Sequence, residues 1–183
     1  MLELSTLGLL QRQPLHGYRL KQQLELFMGS CISVNYGAIY PMLKRLEERG
    51  DVVVTEEAGE GGQGRKIYTI TDQGHQCWRR KMLEHPQESW IKSRSRFIIK
   101  FFFFGNLEPQ ERIKLIEHRL RVCQMRQEYL ATQELTLAPL DNYQSEAWQR
   151  GKSMLELEVQ WLIRHLRQEQ ERGKRQEAIG KRQ

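Results

Sequence analysis

The stretch from Ser33 to Gly50, SVNYGAIYPMLKRLEERG, constrains the fold more than any other part of the chain. Ile39, Met42, Leu43 and Leu46 recur at helical spacing, so they share a face that has to be buried. Ser33, Gly37, Tyr40 and Lys44 fall on a different face, with Tyr36 at its margin. Ser33 suits an N-cap and Gly50 the position just past the helix end. The outward face therefore combines hydroxyls, a glycine that permits close approach, and a cation. A DNA major groove offers acceptors, donors and thymine methyls that such a face can read. An ordinary core helix with a polar outer side has the same make-up, so the flanking sequence has to decide between them. Pro41 complicates the helix, because it cannot donate to the carbonyl of Gly37. Either the helix kinks there, or a looser turn precedes a regular helix from about Ile39.

The flanks are informative. Leu2 to Gln13 reads as a first helix, with Leu4, Leu7 and Leu10 inward and Pro14 as its stop. HGYRLKQQLELF, residues 16–27, reads as a second, with a turn at Gly17 and an apolar stripe of Tyr18, Leu20, Leu24 and Phe27. Three short helices with brief connections match a helix-turn-helix core. Past Gly50, Val52 to Thr55 is β-branched and reads as a strand, and Arg65 to Thr71 as its partner. Tyr68 and Ile70 would share one face of that partner strand. The glycine-rich run Glu56 to Gly64 joins the two into a hairpin, the wing of a winged helix. Thr71 then caps a helix running from Asp72 through Trp78 to about His85.

In that order, LGLL, HGYRL, GAIYPMLKRLEERG and GRKIYTITDQG make residues 1–85 resemble the PadR family of bacterial transcriptional regulators. The resemblance implies a winged helix-turn-helix that binds double-stranded DNA, a homodimer built on long C-terminal helices, and release from DNA when a small aromatic or hydrophobic effector binds or in response to another signal. One departure is the hairpin tip, EEAGEGGQG, whose Glu56, Glu57 and Glu60 would be repelled by phosphates. That leaves Gln63, Arg65 and Lys66 as the wing residues able to touch DNA.

The second half is helical. Trp90, Ile91, Arg94, Phe97, Ile98, Phe101 and Phe102 lie at helical spacing within residues 86–105. The aromatic run there reads as a buried segment or as the lining of an effector pocket around Trp78, Trp90, Phe97 and Phe101. A long helix starts at Pro109, with Ile113, Ile116, Leu120 and Cys123 on its stripe, and Pro139 breaks it. Another runs from about Asn142 to Gln170, carrying Met154, Leu157, Trp161 and Leu162. Together they make an antiparallel hairpin whose stripes are too wide for one copy to cover, so a second copy is the economical partner. The expected architecture is mainly α with a small β-hairpin. It divides into a winged helix-turn-helix domain at 1–85, a helical dimerisation domain at 86–170 and a basic, unstructured tail at 171–183.

Charge and motifs exclude other classes. The net charge of +6 favours anionic partners. Residues 1–85, however, hold 11 Lys and Arg against 10 Asp and Glu, so any DNA face there has to concentrate its charge locally. Cys31, Cys77 and Cys123 are too dispersed for a zinc site or a disulfide framework, and reduced cytoplasmic thiols are the default. The five histidines show no metal-ligand spacing, and the glycine-rich hairpin lacks the lysine of a phosphate loop. No signal peptide is visible, and the Phe97–Phe104 run is far shorter than the ~20 residues of a membrane span. A cytoplasmic, non-enzymatic protein without metal or cofactor is expected.

The expected DNA-contacting residues are Ser33 and Asn35 at the start of the third helix, Tyr36, Tyr40, Lys44 and Arg45 along it, and Gln63, Arg65 and Lys66 on the wing. A winged-helix adaptor that binds a partner protein is the alternative, since the first half is nearly neutral overall.

Overall fold

A computed structural model of the chain describes residues 1–28, 36–57, 65–134 and 140–180. Those residues form two compact units, Met1–Asn106 and Leu107–Gln183. The architecture is the expected one, mostly helical with a winged helix at the amino end.

In the first unit, α1 (Leu2–Leu10) is followed by a two-residue strand β1 (Leu15–His16), α2 (Gly17–Met28), a 3-10 turn (Tyr36–Ala38) and α3 (Ile39–Glu48). The hairpin β2 (Val52–Glu57) and β3 (Arg65–Ile70) comes next, then α4 (Asp72–Leu83) and α5 (Trp90–Phe102). Of the two expectations at Pro41, the structure has the looser turn, with regular helix from Ile39. The four apolar residues of the α3 stripe are all buried, together with Leu4, Leu7 and Leu10 of α1 and Leu20 and Leu24 of α2. Tyr18 leaves the expected α2 stripe and is 64% exposed.

β1 is the element that the sequence reading lacks. It adds to β3 with Leu15 opposite Tyr68 and His16 opposite Ile67, making an antiparallel sheet in the order β1-β3-β2. Only two residues pair, too few to leave a period-two pattern in the sequence.

The end of α3 is fixed by a Schellman motif. Gly50 has φ +74, its N–H donates to the Glu47 carbonyl at 2.9 Å, and the Asp51 N–H donates to that of Leu46 at 2.9 Å. From there the chain is tied to α4. Thr71 caps α4 by accepting from the Gly74 N–H at 3.1 Å, and its hydroxyl donates to the Gly50 carbonyl at 2.7 Å. Arg49 bridges the buried Asp51 and Glu3 of α1. The outward side of α3 is thereby held in a fixed orientation to α1, the wing and α4.

In the second unit, α6 (Pro109–Glu134) and α7 (Asn142–Gly180) form an antiparallel pair. The direction is set by Arg119 facing Glu158 and Arg112 facing Glu169, at 2.7 and 3.3 Å. Two sequence-based boundaries shift. α5 groups with the first unit, which ends at Asn106 rather than near residue 85. α7 continues to Gly180 instead of ending near Gln170. The extra turns are rich in Glu, Gln, Lys and Arg, all good helix formers, and begin beside an Arg172–Glu169 pair at 2.8 Å.

Candidate nucleic-acid interface

Burial of one face of α3 leaves Tyr40, Lys44, Arg45 and Glu47 on the other, all exposed. β3 runs alongside and begins with the exposed Arg65 and Lys66. Between α3 and β3 lies a cleft of about 930 Å³. Its walls are Tyr40, Lys44 and Glu47 from α3 and Arg65, Lys66 and Tyr68 from β3, and its remaining side is His16 to Arg19, where β1 passes into α2.

Gly17 lines the cleft beneath two of its rings. A Cβ at that position would stand 3.3 Å from Tyr40 Cε1 and 3.4 Å from Tyr68 Cε2, so the bare backbone lets both rings close on it. Tyr68 keeps its proton above the ordinary tyrosine range, chiefly through burial and then through the Glu47 carboxylate and the neighbouring Tyr40. Lys44 Nζ is 3.8 Å from Glu48 Oε1, one turn on, with both side chains well exposed. Such a pair is worth little in water and releases its lysine readily to a stronger anion. On the wing, Glu56 stands directly opposite Lys66 and Glu57 opposite Arg65. Those two carboxylates therefore belong to the strand beside the cations and not to the hairpin tip.

Of the residues expected to touch DNA, Tyr40, Lys44, Arg65 and Lys66 meet in this cleft, and Arg45 is exposed next to it on α3. Tyr36 opens the 3-10 turn that leads into α3. Ser33, Asn35 and Gln63 lie outside the described residues. The sequence reading passed over His16, Tyr18 and Arg19. They stand in the HGYRL motif, but without β1 nothing showed that this segment reaches the third helix and the wing.

The candidate effector residues have a different setting. Trp78 and Phe97 are buried. Trp78 meets Phe103 edge to face at 6.4 Å, and Phe97 and Phe101 both lie against Phe104, at 6.1 and 4.8 Å. Trp90 is half-buried at the start of α5. A groove of about 440 Å³ in the same unit is lined by Leu9, Arg12, Leu26, Phe102 and Phe103 among others, not by those four rings. On the α6–α7 pair, Ile116 and Leu162 are fully buried, Ile113, Leu120 and Trp161 half-buried, and Met154 and Leu157 exposed.

One trio of potential metal ligands converges among the described residues, with Glu3, Asp51 and Cys77 donors within 4.8 Å of one another. Arg49 already pairs with both carboxylates, so the trio is part of the ion-pair network that holds α3. No helix of the described residues is long and apolar enough to cross a membrane.

Residues 6–80, from α1 into α4, match the transcriptional regulator PadR-like family. The negative transcriptional regulator PadR of Bacillus subtilis (strain 168) is 29% identical over 122 residues, which are 66% of this chain and 66% of that protein. The chain thus matches just under two thirds of that relative's length. The crystal structure of Bacillus subtilis PadR with operator DNA is 24% identical, covering 92% of this chain and 98% of that one, with a TM-score of 0.46. The structure of the same protein with p-coumaric acid is 23% identical, covering 92% and 95%, with a TM-score of 0.42. Over residues 6–80, this chain is therefore similar to the PadR-like family of transcriptional regulators.

Proposed function

We propose that the protein is a homodimeric, sequence-specific DNA-binding repressor. Two winged heads related by a two-fold axis read a pseudo-palindromic operator in major grooves about 34 Å apart. The segment 33–50 enters the groove, and the wing, residues 52–71, rests on the flanking backbone. One observation carries this reading: Lys44, Arg65 and Lys66 surround a single cleft, while the opposite face of α3 is fully buried. That is the local concentration of charge that a nearly neutral domain needs in order to hold a polyanion.

The homodimer is supported by apolar side chains left exposed on the long helices, Met125 and Tyr129 on α6 and Met154 and Leu157 on α7. Repression is favoured because the Bacillus subtilis relative is a negative regulator. A small aromatic or hydrophobic effector is supported by the groove beside Phe102 and Phe103, which offers Leu9 and Leu26 as walls and Arg12 for an anionic group. Such a ligand changes DNA affinity only by binding two arrangements of the heads unequally.

The test is a titration against duplex DNA from the protein's own upstream region at two salt concentrations, with a scrambled duplex alongside. Tight, sequence-selective binding with a steep salt dependence is expected. Weak binding that ignores both sequence and salt would favour a winged-helix adaptor for a protein partner instead.

A further inference from the structure

We propose that Glu3, Asp51 and Cys77 form a binding site for a thiophilic divalent metal ion of the zinc type, where α1, the chain leaving α3 and α4 come together. The inference stands apart from the DNA-binding reading and does not depend on it.

One donor atom from each of the three side chains lies within 4.8 Å of the other two. Glu3 stands in the first turn of α1, Asp51 directly follows the Gly50 turn, and Cys77 is in the middle of α4. With bonds of ~2.0–2.3 Å, the ligand atoms of a tetrahedral zinc site stand about 3.3–3.8 Å apart, so small side-chain rotations close the trio on an ion. The same three residues line a hollow of about 460 Å³, together with Gln73, Gln76 and Arg80. It has room for the water that completes the coordination.

The ion pairs already present leave donor atoms over. Arg49 hydrogen-bonds Asp51 through Oδ2 and Glu3 through Oε1, and Lys81 also faces Oε1. Asp51 Oδ1 and Glu3 Oε2 remain for a metal, with Arg49 as an outer-shell partner on the far oxygens. Cys77 is the member that the ion pairs do not require. Its thiol is 8% exposed, beside an Asp51 that is 3% exposed. Arg80 Nη2 donates to Sγ at 3.7 Å and keeps that bond when the sulfur is ligated.

The donor set selects the ion. Two carboxylate oxygens and one sulfur suit zinc or cadmium, whereas magnesium and calcium take oxygen alone. Arg49, Arg80 and Lys81 border the hollow, and their charge holds the affinity below that of a cysteine-rich zinc site. On binding, the metal replaces the thiol proton, which passes to solvent. The bound ion cross-links three elements and stabilises the winged head by mass action.

The experiment titrates the full chain, kept reduced, with zinc against a chromophoric chelator, and with cobalt(II) as an optical probe. One zinc per chain is expected, with a thiolate-to-cobalt charge-transfer band and a thermal midpoint raised by zinc. Cys77→Ser should abolish the band and weaken zinc by more than the ~10–100-fold that loss of an outer-shell partner costs. Glu3→Gln should weaken zinc and keep the band. Cys123→Ser should change neither. Midpoints measured without metal verify that each variant folds, and Glu3→Gln, at a half-buried surface position, carries the test if Cys77→Ser does not. Zinc affinity unchanged in either variant, a cobalt complex without the band, or no zinc bound to the wild-type protein overturns the inference.

Discussion

Arg119 of α6 and Glu158 of α7 form a buried ion pair, in which guanidinium Nε and Nη2 both donate to Oε1, at 2.9 and 2.7 Å. Arg119 is 2% exposed and Glu158 9%. Removing one partner strands the other charge away from water, which typically costs ~3–5 kcal/mol, whereas replacing both by apolar residues is often neutral or stabilising. Arg119→Met and Glu158→Leu are each expected to lower the urea midpoint strongly, and the double variant to recover most of the loss. Unfolding at one fixed protein concentration measures this. Single variants that unfold with wild type would mean that water reaches the pair.

Two glycines in helices are expected to respond with opposite signs. Ordinarily, Gly→Ala inside a helix gains ~1 kcal/mol. At Gly151 of α7 nothing lies within 4 Å of the added methyl, so Gly151→Ala should stabilise by about that amount. At Gly74 of α4 the new Cβ would meet the Asp51 carbonyl oxygen at 2.0 Å and Ile70 Cγ1 at 2.7 Å. That carbonyl already accepts the Thr71 N–H at 3.1 Å and cannot retreat without parting β2 from α4. Overpacking of this kind costs ~1–3 kcal/mol and outweighs the helix gain. Thermal midpoints of the two variants should move apart around the wild-type value, and a stabilised Gly74→Ala would contradict the close crossing.

The contrast between these glycines also explains how far the sequence could be read. The α3 stripe, the Gly50 stop, the Thr71 cap and the two strands of the wing follow from local rules of spacing and capping, and each stands as expected. Tyr40, Lys44, Arg65 and Lys66 were legible for the same reason, since they occupy the outward positions of those elements. β1 was not, because a two-residue strand exists only through its pairing with β3, a contact made more than fifty residues away in the chain. With it went Tyr18 and Arg19, which look like helix stripe and helix surface until α2 is placed beside β3. The aromatic run near residue 100 was ambiguous because periodicity cannot tell a ring that lines a cavity from one that packs on another ring.

Lys100 predicts a pH dependence. Its side chain is 3% exposed on α5, and Nζ donates to the Glu84 carbonyl at the end of α4. Burial, and then Arg96, lowers its pKa to about 8, against the opposing pull of Glu84 and Glu88. An unfolded lysine titrates near ~10.4, so between those values the unfolded chain binds more protons than the folded one. The cost of burying the charge is present in full below about pH 8 and is relieved as pH rises towards 10.4. Stability contributed by this residue therefore increases with pH across that window. Lys100→Met has no charge to relieve, so wild type should gain on the variant by ~1–3 kcal/mol from pH 7.5 to 10. Chemical denaturation at several pH values measures the difference, and parallel curves would place the Lys100 pKa outside this range.

Glu56 and Lys66, directly opposite each other on the wing, predict a paired response in DNA binding. Both are exposed, so their attraction contributes only ~0–1 kcal/mol to the fold and either can be changed without unfolding it. A phosphate near Lys66 meets that cation and, one strand away, a carboxylate that repels it. Lys66→Ala should weaken binding to selected and scrambled duplexes alike and flatten the salt dependence by about one phosphate contact. Glu56→Gln should strengthen both and leave the ratio between them unchanged, because neither residue reads a base. A change in that ratio on Lys66→Ala would instead place the wing against base edges, and equal affinities for wild type and both variants would mean that the wing stands clear of the DNA.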